Sequence, residues 1–300
     1  MKTNNKNIYF LVCYICLSVC FSQTGYNLLE LPKNSRALSI SSDNFTELPC
    51  NSRSFMTTDM SNELFLFSFF QYPSDIDLQS IMYKYETLNS LFTLTANSLD
   101  YGRLIQEVEN SDDNYFTAKD VQLSIEYNKM INNKFWIGGN IAYLHSKISI
   151  YTSQIIASSF RFHAHTFENK LGFEFSVENL GYVIDPYFSS IERLPQFTRY
   201  SMSYKPEHLS AIFILNIYQY LHSSKKYISY GVELGSQIIK FRISSNNYRT
   251  DLQTEEYSSD FIAGISAGMG LKLNHINIDF GVRNLGAAGT ISGISLGFNI

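Results

Sequence analysis

Residues 261–274, FIAGISAGMGLKLN, alternate between two kinds of side chain. Apolar residues occupy every second position from Phe261 to Leu273, and small or polar residues fill the others apart from Ile262. The same alternation continues over 275–283 and again over 291–300. A period of two predicts β-strands with one apolar face and one polar face. An apolar strand residue at the very end, Ile300, is typical of a membrane barrel, in which the last strand closes the cylinder.

The first residues predict export. Lys2 and Lys6 precede an apolar run that reaches Phe21, and the small residue Ser22 then provides a cleavage site before Gln23. This is the layout of a secretory signal peptide, and the run is too short to cross a bilayer as a helix. Val19 stands where a lipoprotein signal has a small residue, which disfavours acylation. We therefore expect a signal peptide at 1–22, cleaved after Ser22.

Composition narrows the class further. The formal net charge of −4 argues against nucleic acid as a partner. Beyond residue 22 the only cysteine is Cys50, which excludes an intramolecular disulfide framework. No later run approaches the apolar length of a transmembrane helix, and 15% of the residues are aromatic. These features favour a barrel in the bacterial outer membrane, in contact with its lipid; a secreted β-sandwich or a lipocalin-like barrel is the alternative.

The pattern predicts an all-β fold of about fourteen strands that form a transmembrane antiparallel barrel over 62–300. Candidate strands lie at 63–71, 78–86, 91–99, 119–128, 134–145, 155–163, 170–178, 196–204, 209–219, 226–234, 237–244, 260–273, 275–283 and 291–300. The connections alternate between long (for example 72–77 and 146–154) and short, as they do between the outer and periplasmic sides of such barrels. Residues 23–61 show no comparable strand, and we expect them to form a periplasmic or plug segment of the wide lumen.

A resemblance supports the same fold. Residues 26–38, YNLLELPKNSRAL, resemble the opening of the PorV/PorQ family of outer-membrane proteins, which has an aromatic residue, a paired apolar step, a proline and a Ser-Arg-Ala-Leu stretch. Weaker matches follow at 99–102, Asp120, 179–181, 194–195, 231–233 and 264–268. The resemblance implies a fourteen-strand relative of the fatty-acid transporter barrels with an N-terminal segment inside, and the short chain favours the PorQ-like branch.

That family implies a role in the type IX secretion system, in which extracellular loops bind a surface protein of the machinery or its cargo. The alternatives are a barrel for hydrophobic small molecules, like the fatty-acid transporters, and a diffusion porin. No spacing of Ser, His and Asp singles out a catalytic set, so we expect neither enzymatic activity nor a cofactor. The partner-binding residues stay unassigned.

Several polar residues fall inside predicted strands. His163 and His165 share one face, which suits a metal, but no third ligand is identifiable and the sequence predicts no metal site. Asp279 and Arg283 share a face of strand thirteen, with Lys272 on the neighbouring strand and Glu233 on strand ten. Charged residues in a membrane barrel line the lumen, so we expect salt bridges there.

Overall fold

The protein is represented by a computed structural model that describes residues 26–41, 63–105, 115–132, 134–166, 170–188, 192–223, 226–236, 238–247 and 262–299. The predicted signal peptide, Cys50 and Ile300 lie outside these residues. The described residues therefore cover nearly all of the predicted strand residues and 26–41 of the predicted plug segment.

Fourteen β-strands form in the described chain, one at each predicted position. They are β1 (Glu63–Tyr72), β2 (Ile76–Glu86), β3 (Ser90–Ile105), β4 (Tyr115–Asn132), β5 (Phe135–Ile148), β6 (Tyr151–Thr166), β7 (Leu171–Asp185), β8 (Phe197–Tyr204), β9 (Ala211–Tyr220), β10 (Lys226–Gly235), β11 (Ile239–Asn246), β12 (Ile265–Leu273), β13 (Ile276–Asn284) and β14 (Thr290–Asn299). The helix α1 spans Ser35–Ser39, and two short 3₁₀ helices span Asn27–Leu29 and Gly286–Ala288.

The sheet closes on itself. Each strand pairs antiparallel with its neighbours in sequence, and β1 pairs with β14 from Leu64 opposite Asn299 to Gln71 opposite Ser292. The predicted all-β fold, a closed antiparallel barrel of fourteen strands, is confirmed. Within the described ranges, no helix has the length and apolar character needed to cross a membrane.

The two faces of the barrel wall have opposite chemistry. On β4, the outward side chains of Leu123 and Ile125 are 55% and 57% exposed, whereas the inward side chains of Gln122 and Glu126 are buried. This distribution is the reverse of that in a water-soluble protein, because apolar side chains face outward and polar ones inward. It is the arrangement of a barrel whose wall is surrounded by lipid.

The C-terminal strands follow the faces that the sequence predicts. Their exposed outward residues include Met269, Ile276, Phe280, Leu296 and Phe298, and their buried inward residues include Ser266, Arg283 and Ser295. The register between β12 and β13 places Met269 opposite Phe280, so the apolar rows of neighbouring strands join into one continuous surface.

The wall is uneven in height. Strands β3 to β7 contain 14 to 18 residues, more than the roughly 9–11 residues that cross a bilayer, whereas β8 contains 8. The extra residues project at the end where odd-numbered strands pass to even-numbered ones, which we call the outer end. The predicted connections 72–77 and 146–154 were too long, since the actual turns are residues 73–75 and 149–150. Ser149 has a φ of 55°, which permits the tight turn.

Two turn-like sequences lie within strands rather than ending them. At Gly102, with φ of 71°, the register of β3 against β4 shifts, and the Gly102 N–H donates to Asp100 Oδ1 at 2.9 Å. At Asn179, with φ of 59°, the register of β7 against β6 shifts, and pairing resumes at Leu180 and continues to Asp185. Such bulges bend a strand without ending it, which explains why β3 and β7 outlast their predicted ends.

Candidate functional site

Residues 26–41, which we call the plug, lie inside the barrel. Tyr26 Oη is 2.9 Å from Ser153 Oγ on β6, and the Ser35 N–H donates to Ser295 Oγ on β14 at 2.8 Å. Strands β6 and β14 are on opposite sides of a fourteen-strand barrel, so one segment bonds both walls only by crossing the lumen. These residues occupy the lumen, and the remaining residues of the predicted plug segment, 23–25 and 42–61, lie outside the described chain.

The helix α1 packs against glycines of the barrel wall. A methyl group on Gly281 would lie 2.5 Å from the Ser35 carbonyl oxygen, and one on Gly268 would lie 2.4 Å from Ser39 Cβ. Both glycines are on the inward face of the C-terminal strands, the face on which the sequence alternation places small or polar residues. Their function is steric, because only a wall without Cβ atoms allows a helix to approach so closely.

Serine hydroxyls of the wall also bind α1, and together with the two glycines they form the surface that we call the plug seat. Ser295 Oγ lies 2.9 Å from Ser35 Oγ and 2.8 Å from Ser68 Oγ on β1. Ser244 Oγ donates to the Ser39 carbonyl oxygen at 2.9 Å. All of these groups are buried and neutral, so the hydrogen bonds fix the position of the helix without burying a charge.

A salt bridge joins the plug to the wall. Arg36 Nε lies 2.9 Å from Glu233 Oε2 on β10, and Arg242 Nε lies 2.5 Å from the same oxygen. Lys240 Nζ is 3.5 Å from Glu233 Oε1, and Arg242 also reaches Asp279 at 2.5 Å. The Glu233 carboxylate is 1% exposed, and three cations share it. Arg36 is thus one of several groups that neutralise a buried anion, and we call its contact with Glu233 the latch.

A second charged cluster fills another part of the lumen. Arg161 contacts Glu126 at 2.8 Å and Glu178 at 3.1 Å, and Arg199 contacts Glu174 at 2.7 Å and Glu178 at 3.2 Å. The Arg199 side chain is fully buried. A water-filled pore would leave such side chains exposed, so no such pore passes beside this cluster.

Towards the outer end, the lumen is apolar. Leu28 and Leu38 of the plug pack in one buried cluster with the inward side chains of Phe70, Leu144 and Ile155. Inward apolar residues of β2, β3 and β14 join the same cluster. The lumen therefore has an apolar outer layer, with charged and hydroxyl groups below it.

A tyrosine from the β7–β8 connection covers this layer. The ring of Tyr187 stacks on Tyr26 with centroids 6.2 Å apart, and its hydroxyl bonds Ser146 Oγ. Burial raises the pKa of Tyr187 to about 12, so the hydroxyl stays protonated near neutral pH. The Tyr101 hydroxyl donates to Asp120 at 2.9 Å close by. The hydroxyls of Tyr187 and Tyr101 are thus both paired within the outer layer.

Two of the four predicted lumen charges, Asp279 and Glu233, form salt bridges, although not with each other. Asp279 and Glu233 both bind Arg242, which the sequence analysis had not singled out. Arg283 instead donates to Ser266 Oγ at 3.2 Å and to the Leu38 carbonyl oxygen at 3.3 Å, which places it in the plug seat. Lys272 forms no salt bridge with the residues that the structure describes.

The two histidines hydrogen-bond each other. His163 Nε2 and His165 Nε2 lie 3.0 Å apart on the inward face of β6. Over the described ranges, no three or more His, Cys, Asp or Glu side chains are grouped so that they could hold a metal ion.

Sequence reasoning missed the charged cluster and the latch. Arg161, Glu174, Glu178 and Arg199 all stand on the polar side of an alternating strand, and that parity was the available signal. Arg36 carried no such signal, because the plug has no strand periodicity. The partner of Arg36 depends on the path that the plug takes through the lumen.

Comparison with solved structures shows the fold. The toluene transporter TodX of P. putida superposes with a TM-score of 0.60 over 91% of this chain and 99% of that one, at 9% identity. A FadL homologue of Pseudomonas aeruginosa superposes with a TM-score of 0.52 over 90% of this chain and 99% of that one, at 7% identity. This is the fold of bacterial outer-membrane barrels. No protein-family model and no curated protein matches the sequence.

Proposed function

We propose that this protein is a plugged outer-membrane channel through which a small hydrophobic compound crosses. The observation that carries the proposal is the layered lumen, in which an apolar outer layer surrounds the plug and charged groups lie below it. A hydrophobic solute gains free energy when it leaves water for such a layer, in proportion to the apolar area it buries. The solved neighbours are named as a toluene transporter and a FadL homologue, and the first of these names supports passage of a hydrophobic compound.

The buried lumen argues against a diffusion porin. Arg199 and Glu233 are almost fully buried, and the plug crosses between opposite walls. Passage therefore requires the plug to move. Most of the hydrogen bonds between the plug and the wall join neutral groups and contribute about 0.5–1.5 kcal/mol each, so a displacement that breaks only a few of them costs a few kcal/mol.

A reversible lock on the plug tests the proposal. Ser35 Oγ and Ser295 Oγ are 2.9 Å apart, so cysteines at both positions should form a disulfide that fixes the plug to β14. The matched control joins Ser68 to Ser295, which are directly opposite on β1 and β14, and leaves the plug free. Both pairs are made in a Cys50→Ser background.

The purified variants are placed in liposomes, and entry of a small aromatic hydrocarbon is compared with entry of a polar solute of similar size. Oxidation of the 35/295 pair should abolish hydrocarbon entry, and a reductant should restore it. The 68/295 pair should conduct equally in both states. Equal hydrocarbon entry through the locked and unlocked plug would exclude the channel proposed here.

The secretion role implied by the PorV/PorQ resemblance is a different proposal with a different readout. If that role holds, a deletion strain should lose surface display of type IX cargo, and the protein with the locked 35/295 plug should restore display. Under the channel proposal, display is normal in the deletion strain and hydrocarbon uptake is lost.

A further inference from the structure

The outer wall carries a groove on the face away from the lumen. Its volume is about 520 Å³, and it lies across the outward faces of β8 to β12. Leu215 and Val232 are half-buried and form its floor, whereas Phe213, Tyr230 and Ile243 are far more exposed and stand around them. The groove is therefore a local depression in a wall that elsewhere presents large apolar side chains.

The strand register creates this depression. Across β9, β10 and β11, Val232 lies between Phe213 and Ile243. In the next outward row, the bulky Tyr230 lies opposite the small Ser245 of β11. Large and small side chains thus alternate both along and across the strands. A trough remains where the smaller ones meet.

We propose that this groove holds one acyl chain of a membrane lipid. Its lining is apolar apart from a few hydroxyl groups, and it belongs to the continuous outward surface that faces lipid. An unfilled depression would cost its lining atoms their dispersion contacts, which a hydrocarbon chain restores. The volume lies within the range of about 300–1,000 Å³ that is usual for small-molecule sites.

The shape of the groove separates this chain from ordinary surrounding lipid. A chain in the groove touches the floor and the residues on either side, whereas a chain on the wall near Ile125 and Ile141 touches protein on one side only. It should therefore dissociate more slowly. A second copy of the protein fits less well, because a two-fold contact needs the same surface to supply a ridge that matches the groove.

Native mass spectrometry of the full mature protein, extracted from membranes into detergent, tests this site. We expect one phospholipid adduct on the wild type. Val232→Trp fills the floor and should reduce the adduct to the detergent background, whereas Val232→Ala leaves the groove open and should keep it. The control is Ile125→Trp, at an outward position of β4 that is 57% exposed, which should also keep the adduct.

Heat-dependent gel migration checks that each variant is a folded barrel. Absence of an adduct from the wild type, or equal retention by Val232→Trp, would overturn the proposal. A two-chain species that Val232→Trp abolishes, with no bound lipid, would assign the groove to a second copy instead. Because the groove lies outside the lumen, either outcome is independent of the plug-locking experiment.

Discussion

Replacement of Gly281 by alanine tests whether the small face of the C-terminal strands is the seat of the plug. The new Cβ would lie 2.5 Å from the Ser35 carbonyl oxygen, a distance that real Cβ atoms do not tolerate. The other two near atoms, the Ser35 carbonyl carbon at 3.4 Å and Ser39 Cβ at 3.5 Å, also belong to the plug, so the severe clash is with the plug alone. To restore an ordinary contact, α1 must move by about 1 Å, and overpacking of this kind costs about 1–3 kcal/mol.

This free-energy cost raises the population of the state in which the plug is displaced from the wall. If the displaced state exchanges rapidly with the seated one, 1–3 kcal/mol raises its population by about five- to a hundred-fold, because 1.4 kcal/mol is a factor of ten. Ala37 is 2% exposed, so a cysteine there reacts with a maleimide only when the plug leaves its seat. In a Cys50→Ser background, the labelling rate of Ala37→Cys should rise by that factor.

Gly297→Ala is the matched control on the adjacent strand. Its Cβ would meet only side-chain atoms of the wall, at 3.3–3.4 Å, and none of the plug. Its labelling rate should equal that of the parent. Equal rates for Gly281→Ala and Gly297→Ala, with both barrels folded, would refute the seat as the contact that holds the plug.

Two further predictions concern the latch and the outer wall. Glu233→Ala should lower the free energy of unfolding by about 3–5 kcal/mol in urea titrations, because it leaves buried cations without their anion. Arg36→Ala should cost less, since Arg242 and Lys240 still neutralise Glu233. Equal costs for the two variants would contradict a carboxylate shared by three cations. Ile141→Arg, at an outward position that is 60% exposed, should cost about 2–4 kcal/mol if it lies at the bilayer midplane, and an unchanged urea midpoint in liposomes would place Ile141 away from lipid.

The sequence predicted the wall far better than its contents. Strand positions and faces followed from alternation, because the pleat alone sends neighbouring side chains to opposite sides. Strand ends did not follow, since Gly102 and Asn179 read as turn residues yet form bulges within long strands. At a bulge, tertiary pairing overrides the local preference for a turn. Beyond its bulge, β7 carries the inward residue Val183, which packs in the apolar layer and favours continued pairing.

The contents of the lumen depend on contacts between residues far apart in sequence, which periodicity cannot report. Ser35 and Ser295 are separated by 260 residues, and Arg36 and Glu233 by 197. The glycines of β12 and β13 were read as members of a polar face, but the clashes that a Cβ would cause show that their small size is what matters. A polar residue of ordinary size at Gly281 would suit a water-filled lumen and still displace α1. The alternating pattern specifies the barrel, and the small size of these glycines determines where the plug fits.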